Sequence, residues 1–163
     1  MKVYFAAPMF AKSDLLYNSY LVDKIRKRYT ELTIYLPQEN AAINDKTAFA
    51  DSKMIALADT KQVEESQLMI ALLDGNTIDN GVASEIGVAY ANGVPILGLY
   101  TDSRQEGADN QEKLAAISTV AENQFHYLNL YTAGLIKLNG QISSTEEELL
   151  TEIYQFLQQG VSK

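Results

Sequence analysis

The chain has 163 residues, no cysteine, 47% apolar residues and a formal net charge of −8. This apolar share excludes a disordered chain, and the length predicts a single domain over residues 1–163 with a substantial core. The acidic charge argues against nucleic acid or an anionic membrane as a partner, and the absence of cysteine excludes disulfides, thiolate metal sites and cysteine nucleophiles.

Short apolar runs alternate along the chain with stretches whose apolar residues recur at helical spacing. This alternation predicts a doubly wound, flavodoxin-like (Rossmann-like) α/β fold, with a five-stranded parallel sheet flanked by helices. The opening MKVYFAAPMF is too short to span a membrane and predicts the first strand, so cytoplasmic residence is the default expectation. The predicted strands are residues 2–7, 32–36, 68–73 and 94–100, and the predicted helices are 13–29, 47–65, one that ends at Gly93, and 109–123.

The remaining predictions concern helix ends and one ambiguous segment. Ser13 is expected to cap the first helix. A capping box of Ser144 and Glu147 is expected to begin the last helix, and Gly160 to end it. The apolar segment 125–138 predicts either the fifth strand or a further helix.

The most informative stretch is QLMIALLDGNTIDNGVASEIGVAYANG, residues 67–93. It predicts a buried strand, an acid-bearing loop and a helix whose first turn carries Glu85. A helix N-terminus favours an anion, and helical spacing puts this carboxylate beside the apolar residues Val82 and Ala89. An ionised acid on an apolar face, near the carboxyl end of a strand, suits a nucleophile better than a solvated surface residue.

Several common α/β functions lack their motifs in this sequence. There is no G-x-G-x-x-G after the first strand, no G-x-x-x-x-G-K-[ST] and no G-x-S-x-G, which argues against a dinucleotide fingerprint, a P-loop and an α/β-hydrolase elbow. Residues 6–10 contain neither the acidic pair of a receiver domain nor the hydroxyl-rich phosphate loop of a flavodoxin.

Four carboxylates, Asp59, Asp74, Asp79 and Glu85, remain as the main chemical signal. Paired acids favour glycosidic-bond chemistry, in which one acid is the nucleophile and another the proton donor. Each acid also has a structural interpretation. Asp74 before Gly75 is typical of a turn, Asp79 of a turn and helix cap, Asp59 of an exposed helix position, and Glu85 of a residue that complements a helix dipole.

Three motifs together resemble the nucleoside 2-deoxyribosyltransferase family. The start VYFAAPMF is similar to the family's first-strand signature, and Asp59 precedes the motif D-x-G-x-x-x-E, here Asp79, Gly81 and Glu85, at the family's spacing. The third match is Asn129 within LNLYTAG. The matches span residues 3–131, most of the chain.

The resemblance implies a mechanism in which Glu85 attacks the anomeric carbon of a 2′-deoxynucleoside and forms a covalent deoxyribosyl-enzyme. It assigns Asp59 to the base and its proton, Asp79 to the sugar hydroxyls, Tyr4 to a hydrogen bond that holds Glu85, and Phe10 to packing near the ligand. A free nucleobase then accepts the sugar. No metal and no organic cofactor is expected.

The resemblance also implies a homo-oligomer with shared active sites, because in this family the segment around Asn129 reaches into a neighbouring subunit. Tyr131 stands where the family often has Met, and Asn129 is equally well explained as a polar residue on an amphipathic helix. Gln38 and Glu39 match the family's base-contacting residue only loosely, so purine-only and broad base preference both stay open.

Three alternatives remain. An N-glycosidase on the same fold would pass the sugar of a 2′-deoxynucleoside, or of its 5′-monophosphate, to water; such relatives tend to place Ser where this chain has Asp79, whose charge would repel a phosphate. A nucleoside or nucleotide sensor would bind the same ligands without turnover. An α/β domain with structural acids would bind none of them.

Overall fold

The computed structural model describes residues 1–41 and 49–161, with side chains as far as residue 159. Its five strands form one sheet in the order β2-β1-β3-β4-β5, and every pair of neighbours is parallel. The predicted doubly wound, flavodoxin-like fold is therefore confirmed. The strands are β1 Lys2–Ala6, β2 Thr33–Tyr35, β3 Leu68–Leu72, β4 Ile96–Leu99 and β5 Gly140–Ser143.

Six α-helices flank the sheet in the described part of the chain, together with three short 3₁₀ turns. Over residues 1–41 and 49–161, no helix is long and apolar enough to cross a membrane. The helices are α1 Lys12–Arg28, α2 Ser52–Glu64, α3 Asn80–Ala91, α4 Gln111–Ala115, α5 Leu130–Leu138 and α6 Glu146–Val161, and the 3₁₀ turns are Pro37–Glu39, Ser103–Gln105 and Ala116–Ser118.

The sheet divides the core into two layers, because successive side chains of a strand point to opposite faces. Val3 and Phe5 of β1 pack with apolar residues of α1 and α6. Tyr4 and Ala6 pack on the other face, with apolar residues of α2, α3 and α5. We call these faces the α1–α6 side and the α3 side.

The switch point of the sheet lies between β1 and β3. The chain goes from β1 to β2 on one side and later from β3 to β4 on the other, so the loops after β1 and β3 diverge and leave a crevice at the carboxyl ends of the strands. Residues 7–11 and 73–79 form these two loops.

Beyond β4, the structure differs from the predicted elements. Segment 125–138 contributes α5, and the fifth strand is Gly140–Ser143, for which no sequence pattern was apparent because this edge strand is short and largely exposed. The helix predicted over 109–123 is wrong: only Gln111–Ala115 is α-helical. This segment buries none of its helical residues, and a helix without a packed face is marginal in water.

Two predicted helix caps are displaced, by two residues at α1 and by one residue at α6. Helix α1 begins at Lys12, so Ser13 lies inside it, and the Asp14 carboxylate accepts the Ala11 N–H at 2.9 Å. At α6, Thr145 Oγ1 accepts the N–H of Glu148 at 3.2 Å, replacing the predicted Ser144 and Glu147 box.

The other predicted boundaries differ by a few residues. Helix α6 continues one residue beyond Gly160, to Val161. Helix α2 begins at Ser52, with Asp51 as its cap, rather than at residue 47; residues 47 and 48 lie outside the described residues.

Candidate active site

Glu85 lies on α3 and faces β1. The buried Tyr4 hydroxyl donates a hydrogen bond of 2.6 Å to Glu85 Oε1. The helix begins at Asn80, so Glu85 is in its second turn, and the expected first-turn position was wrong. Within the described residues, Oε2 of Glu85 has no hydrogen-bond partner, which leaves one oxygen held and the other available.

The environment of Glu85 brings its ionisation close to neutral pH. Burial, assisted by the negative charges of Asp59 and Asp79, raises the pKa of Glu85 to about 7, although the hydrogen bond from Tyr4 acts in the opposite direction. The same burial and the Glu85 charge raise the pKa of Tyr4, which therefore remains a proton donor in this bond.

Asp59 projects from α2 and is half-buried. Burial raises the pKa of its carboxyl, and its charge acts on Glu85 and Tyr4. The structure therefore brings Asp59 within electrostatic range of Glu85, as two carboxyl groups on facing helices. Such a pair can divide the roles of nucleophile and proton donor.

Asp79 caps α3, as its structural interpretation predicted. Its Oδ1 accepts the N–H groups of Gly81 and Val82 at 2.8 and 3.1 Å. A Cβ at position 81 would lie 3.0 Å from this oxygen, so glycine gives the carboxylate room. In the described part of the chain, Oδ2 of Asp79 accepts no hydrogen bond; the cap therefore leaves one oxygen for a ligand.

A crevice of about 310 Å³ opens between the loops after β1 and β3. Asp74 lines it as well, but its two oxygens accept the N–H and the hydroxyl of Thr101, both at 2.7 Å. Asp74 thus ties the loop after β3 to the loop after β4, which agrees with a structural role. The crevice is lined by Pro8, Asp14, Asp74, Gly75, Asn76, Thr77, Ile78, Asp79 and Asn80.

Gln38 and Glu39 are occupied by contacts with α1. The Gln38 amide accepts from Asn18 at 3.0 Å and donates to Ser19 Oγ at 2.9 Å. Glu39 forms two hydrogen bonds with Arg26, at 2.8 and 2.9 Å, and this partner lowers the pKa of Glu39. These hydrogen bonds hold Gln38 and Glu39 against α1. Within the part of the chain that the structure describes, neither side chain forms a hydrogen bond with Glu85.

Asn129 and Tyr131 stand at the start of α5, beside the N-terminal end of α3. Asn129 Oδ1 caps α5 by accepting from Tyr131 N at 3.0 Å and Thr132 N at 3.1 Å. Tyr131 is 76% exposed, and Phe10, on the loop after β1, is 82% exposed. The α5 residues share a cavity of about 620 Å³ with α3 and its leading loop, lined by Thr77, Ile78, Asn80, Ala83, Tyr127, Leu128, Asn129, Tyr131 and Thr132.

Tyr35 is a neighbour of the site that sequence reasoning missed. Its ring stacks on Tyr4, with centroids 5.6 Å apart and planes at 26°. Its hydroxyl accepts from Asn40 Nδ2 at 2.9 Å. Burial raises the pKa of Tyr35, and the charges of Asp59 and Glu85 add to the increase. The predicted fold already indicates that β2, which carries Tyr35, lies beside β1, because the first two strands of a flavodoxin-like sheet are neighbours.

The chemistry of this arrangement is that of carboxyl groups and a tyrosine. Across the described residues, no group of three or more histidine, cysteine, aspartate or glutamate side chains could hold a metal ion. Glu85 has a near-neutral pKa and one oxygen held by Tyr4, Asp59 lies nearby, and Asp79 lines the crevice. Such a set of carboxyl groups can support covalent catalysis at an acetal-like carbon.

Comparison with known proteins supplies a family. The profile of the nucleoside 2-deoxyribosyltransferase family matches residues 3–130. No curated protein matches the chain.

Among solved structures, a conserved protein from Enterococcus faecalis is 67% identical, with a TM-score of 0.91 over 95% of this chain and 98% of that one. A 2-deoxyribosyltransferase from Leishmania mexicana shares the fold at 18% identity, with a TM-score of 0.63 over 96% and 97% of the two chains. A CMP N-glycosidase from Clostridium botulinum is also similar, at 18% identity and a TM-score of 0.51 over 96% and 99%.

Proposed function

Because this chain belongs to the nucleoside 2-deoxyribosyltransferase family, we propose that it transfers the 2-deoxyribosyl group between nucleobases of 2′-deoxynucleosides through a covalent bond to Glu85. The observation that carries the proposal is the hydrogen bond of 2.6 Å between the buried Tyr4 hydroxyl and Glu85 Oε1. It fixes one oxygen of a carboxylate whose second oxygen can attack.

In the first half-reaction, Glu85 Oε2 attacks the anomeric carbon on the side opposite the base. The bond from that carbon to the base nitrogen breaks, and its electron pair leaves with the base. Asp59 delivers a proton to this nitrogen, either its own or one relayed from water. The products are a free nucleobase and a deoxyribosyl ester of Glu85.

In the second half-reaction, a nitrogen of the incoming base attacks the anomeric carbon and loses its proton towards Asp59. The ester C–O bond breaks, and its electron pair restores the Glu85 carboxylate. Two displacements give net retention at the anomeric carbon. The two bases use the site in turn, so the kinetics are ping-pong.

Charge at the crevice supports a nucleoside substrate over a 5′-monophosphate. A helix N-terminus beside a switch point is a common phosphate site, because its N–H groups point at the ligand. At α3 the N–H groups of Gly81 and Val82 donate to the helix's own cap, Asp79, and just before α1 the Asp14 carboxylate accepts the N–H of Ala11. Together with Asp74 these acids line the crevice, so a free sugar hydroxyl suits it better than a phosphate.

The proposal includes a homo-oligomer whose subunits share active sites, with Asn129 and Tyr131 contributing to a neighbour. Exposed apolar side chains on α2 and α5 support an interface on the α3 side, since such patches mark contact surfaces. The exposed apolar residues on α2 and α5 are Met54, Ile55, Leu57, Leu130, Tyr131 and Leu138. The proposal also includes a role in nucleoside salvage and a cytoplasmic location.

The test is product analysis after incubating the protein with deoxyinosine, with and without adenine. We expect deoxyadenosine when adenine is present, and no product from Glu85→Gln. Glu112→Gln is the matched control, because Glu112 lies on the exposed helix α4. Equal hypoxanthine release in both samples would identify an N-glycosidase. Ligand binding with no turnover by the unsubstituted protein, also with 5′-monophosphates, would identify a sensor.

A further inference from the structure

Tyr4 is held from the side by an aromatic neighbour on the adjacent strand. The register of β1 and β2 pairs Tyr4 with Tyr35, and that of β1 and β3 pairs it with Met69. The two tyrosine rings are stacked, with centroids 5.6 Å apart. The lateral position of the Tyr4 ring therefore depends on what occupies position 35.

Tyr35 is itself anchored at both ends. Its backbone belongs to β2, and its hydroxyl accepts from Asn40 Nδ2 at 2.9 Å, just after the 3₁₀ turn Pro37–Glu39. A strand and a turn thus fix the ring whose face supports Tyr4. The charges of Asp59 and Glu85 both act on Tyr35, so the ring borders the site and not a remote part of the core.

The position of Tyr4 matters because its hydroxyl makes the one hydrogen bond to the Glu85 carboxylate within the described residues. A carboxylate that must attack along one line loses rate when its orientation spreads, and displacements of about 1 Å reduce rates as much as a hundredfold. A stacked neighbour restricts how far the Tyr4 ring can move.

We propose that Tyr35 is a positioning residue for the transfer reaction, whose ring holds Tyr4 and, through Tyr4, the orientation of Glu85. This inference rests on the proposed function only for its effect on the rate. Its structural part concerns the Tyr4 to Glu85 hydrogen bond, which can be followed without turnover.

The experiment compares Tyr35→Leu with Tyr35→Phe in the full chain. The carboxyl carbon of Glu85 is followed by ¹³C NMR over a pH titration, its signal identified by its absence in Glu85→Gln. A looser Tyr4 favours the ionised carboxylate less, so we expect Tyr35→Leu to raise the apparent pKa of Glu85 by about 0.5 unit or more. Tyr35→Phe keeps the ring and is expected to give the smaller change.

Steady-state kinetics provide the second readout. We expect Tyr35→Leu to lower kcat about tenfold with little change in KM, because orientation of the nucleophile acts on the chemical step. Tyr29→Leu is the matched control. Tyr29 is a buried tyrosine on the α1–α6 side, with its hydroxyl bonded to Leu150 O at 2.6 Å. We expect Tyr29→Leu to destabilise the fold without changing the contacts of Tyr4, which lie on the other face of the sheet.

The outcomes separate this inference from the proposed function. An unchanged Glu85 pKa in Tyr35→Leu overturns it, whether or not the protein transfers deoxyribose. Equal pKa changes in Tyr35→Leu and Tyr35→Phe also overturn it, since the hydroxyl and not the ring would then matter. A raised pKa in a protein that shows no transfer supports the Tyr35 contact and contradicts the proposed function. If Tyr35→Leu does not fold, Tyr35→Ile repeats the test with a residue suited to a strand.

Discussion

At the scale of single residues, Glu85 is subject to opposing demands from folding and from chemistry. Burial favours its neutral form, whereas the proposed attack on a sugar requires the carboxylate. The compromise is a pKa of about 7, which the Tyr4 hydrogen bond keeps from rising further. A carboxylate with this pKa is a better nucleophile than one with an ordinary pKa, and it is still ionised in part at neutral pH.

The first prediction concerns pH. If Glu85 must be ionised, kcat/KM falls about tenfold per unit as the pH decreases below about 7. Tyr4→Phe removes the group that lowers the pKa of Glu85, so its profile should shift to higher pH. Initial rates from pH 5 to 9 check both statements, and a Tyr4→Phe profile that coincides with that of the unsubstituted protein would contradict the role of Tyr4.

The second prediction concerns stability. The pKa of Glu85 is raised from 4.5 to about 7 in the folded state. Stability linked to this group is therefore present below pH 4.5 and is lost as the pH rises through 7. Relative to the unsubstituted protein, Glu85→Gln should gain about 2 kcal/mol in free energy of unfolding between pH 5 and pH 8. Urea denaturation at both pH values measures it, and Glu112→Gln should show no such gain.

Some contacts at the candidate site could be predicted from the sequence and others could not, for physical reasons. Tyr4 and Glu85 were paired through the resemblance, and the structure places them in contact. Gln38 and Glu39 were expected near the base, but the side chains of α1 offer them partners. The contact between Tyr35 and Tyr4 depends on strand register, which the residues of either strand alone do not specify.

At the scale of elements, the buried strands and helices were the ones that the sequence predicted well. Strand β3 and helix α3 were clear in the sequence, because a fully buried strand is a continuous apolar run and a half-buried helix has a periodic one. Strand β5 gave no such signal. It lies at the sheet edge, begins with the exposed pair Gly140 and Gln141, and has no repeating apolar pattern. The long segment between β4 and α5 was predicted wrongly for a different reason. Its apolar residues predicted a helix over 109–123, but the helical residues found there are not buried in a core.

The third prediction tests a helix cap at this scale. Asn129 caps α5, which buries Thr132, Ala133 and Ile136, so Asn129→Ala should lower the free energy of unfolding by about 1 kcal/mol. Asn110 is the matched control: it makes the same two backbone hydrogen bonds at the start of α4, which buries no residue. Asn110→Ala should change the unfolding midpoint in urea much less. Equal losses of unfolding free energy in the two variants would mean that the burial of a helix does not determine how much its cap stabilises the protein.

At the scale of the whole molecule, the proposed sharing of active sites predicts complementation between two inactive variants. Glu85→Gln lacks the nucleophile, and Asn129→Asp keeps a capping oxygen but loses the amide. In co-expressed mixed oligomers, about a quarter of the sites would combine an intact Glu85 with a neighbour's intact Asn129. Transfer activity should then return to about that fraction. Mixed oligomers that stay inactive, or a monomer by light scattering, would contradict shared sites.

The contact between Tyr29 and Leu150 has a consequence for how the protein is made. These residues are bonded across the α1–α6 side but are 121 positions apart in the chain. At a translation rate of about 5 to 20 residues per second, roughly 6 to 24 s separate their synthesis. During that interval the apolar face of α1 lacks the α6 residues that pack with it in the folded protein. The speed of elongation therefore sets how long this apolar face stays open to aggregation.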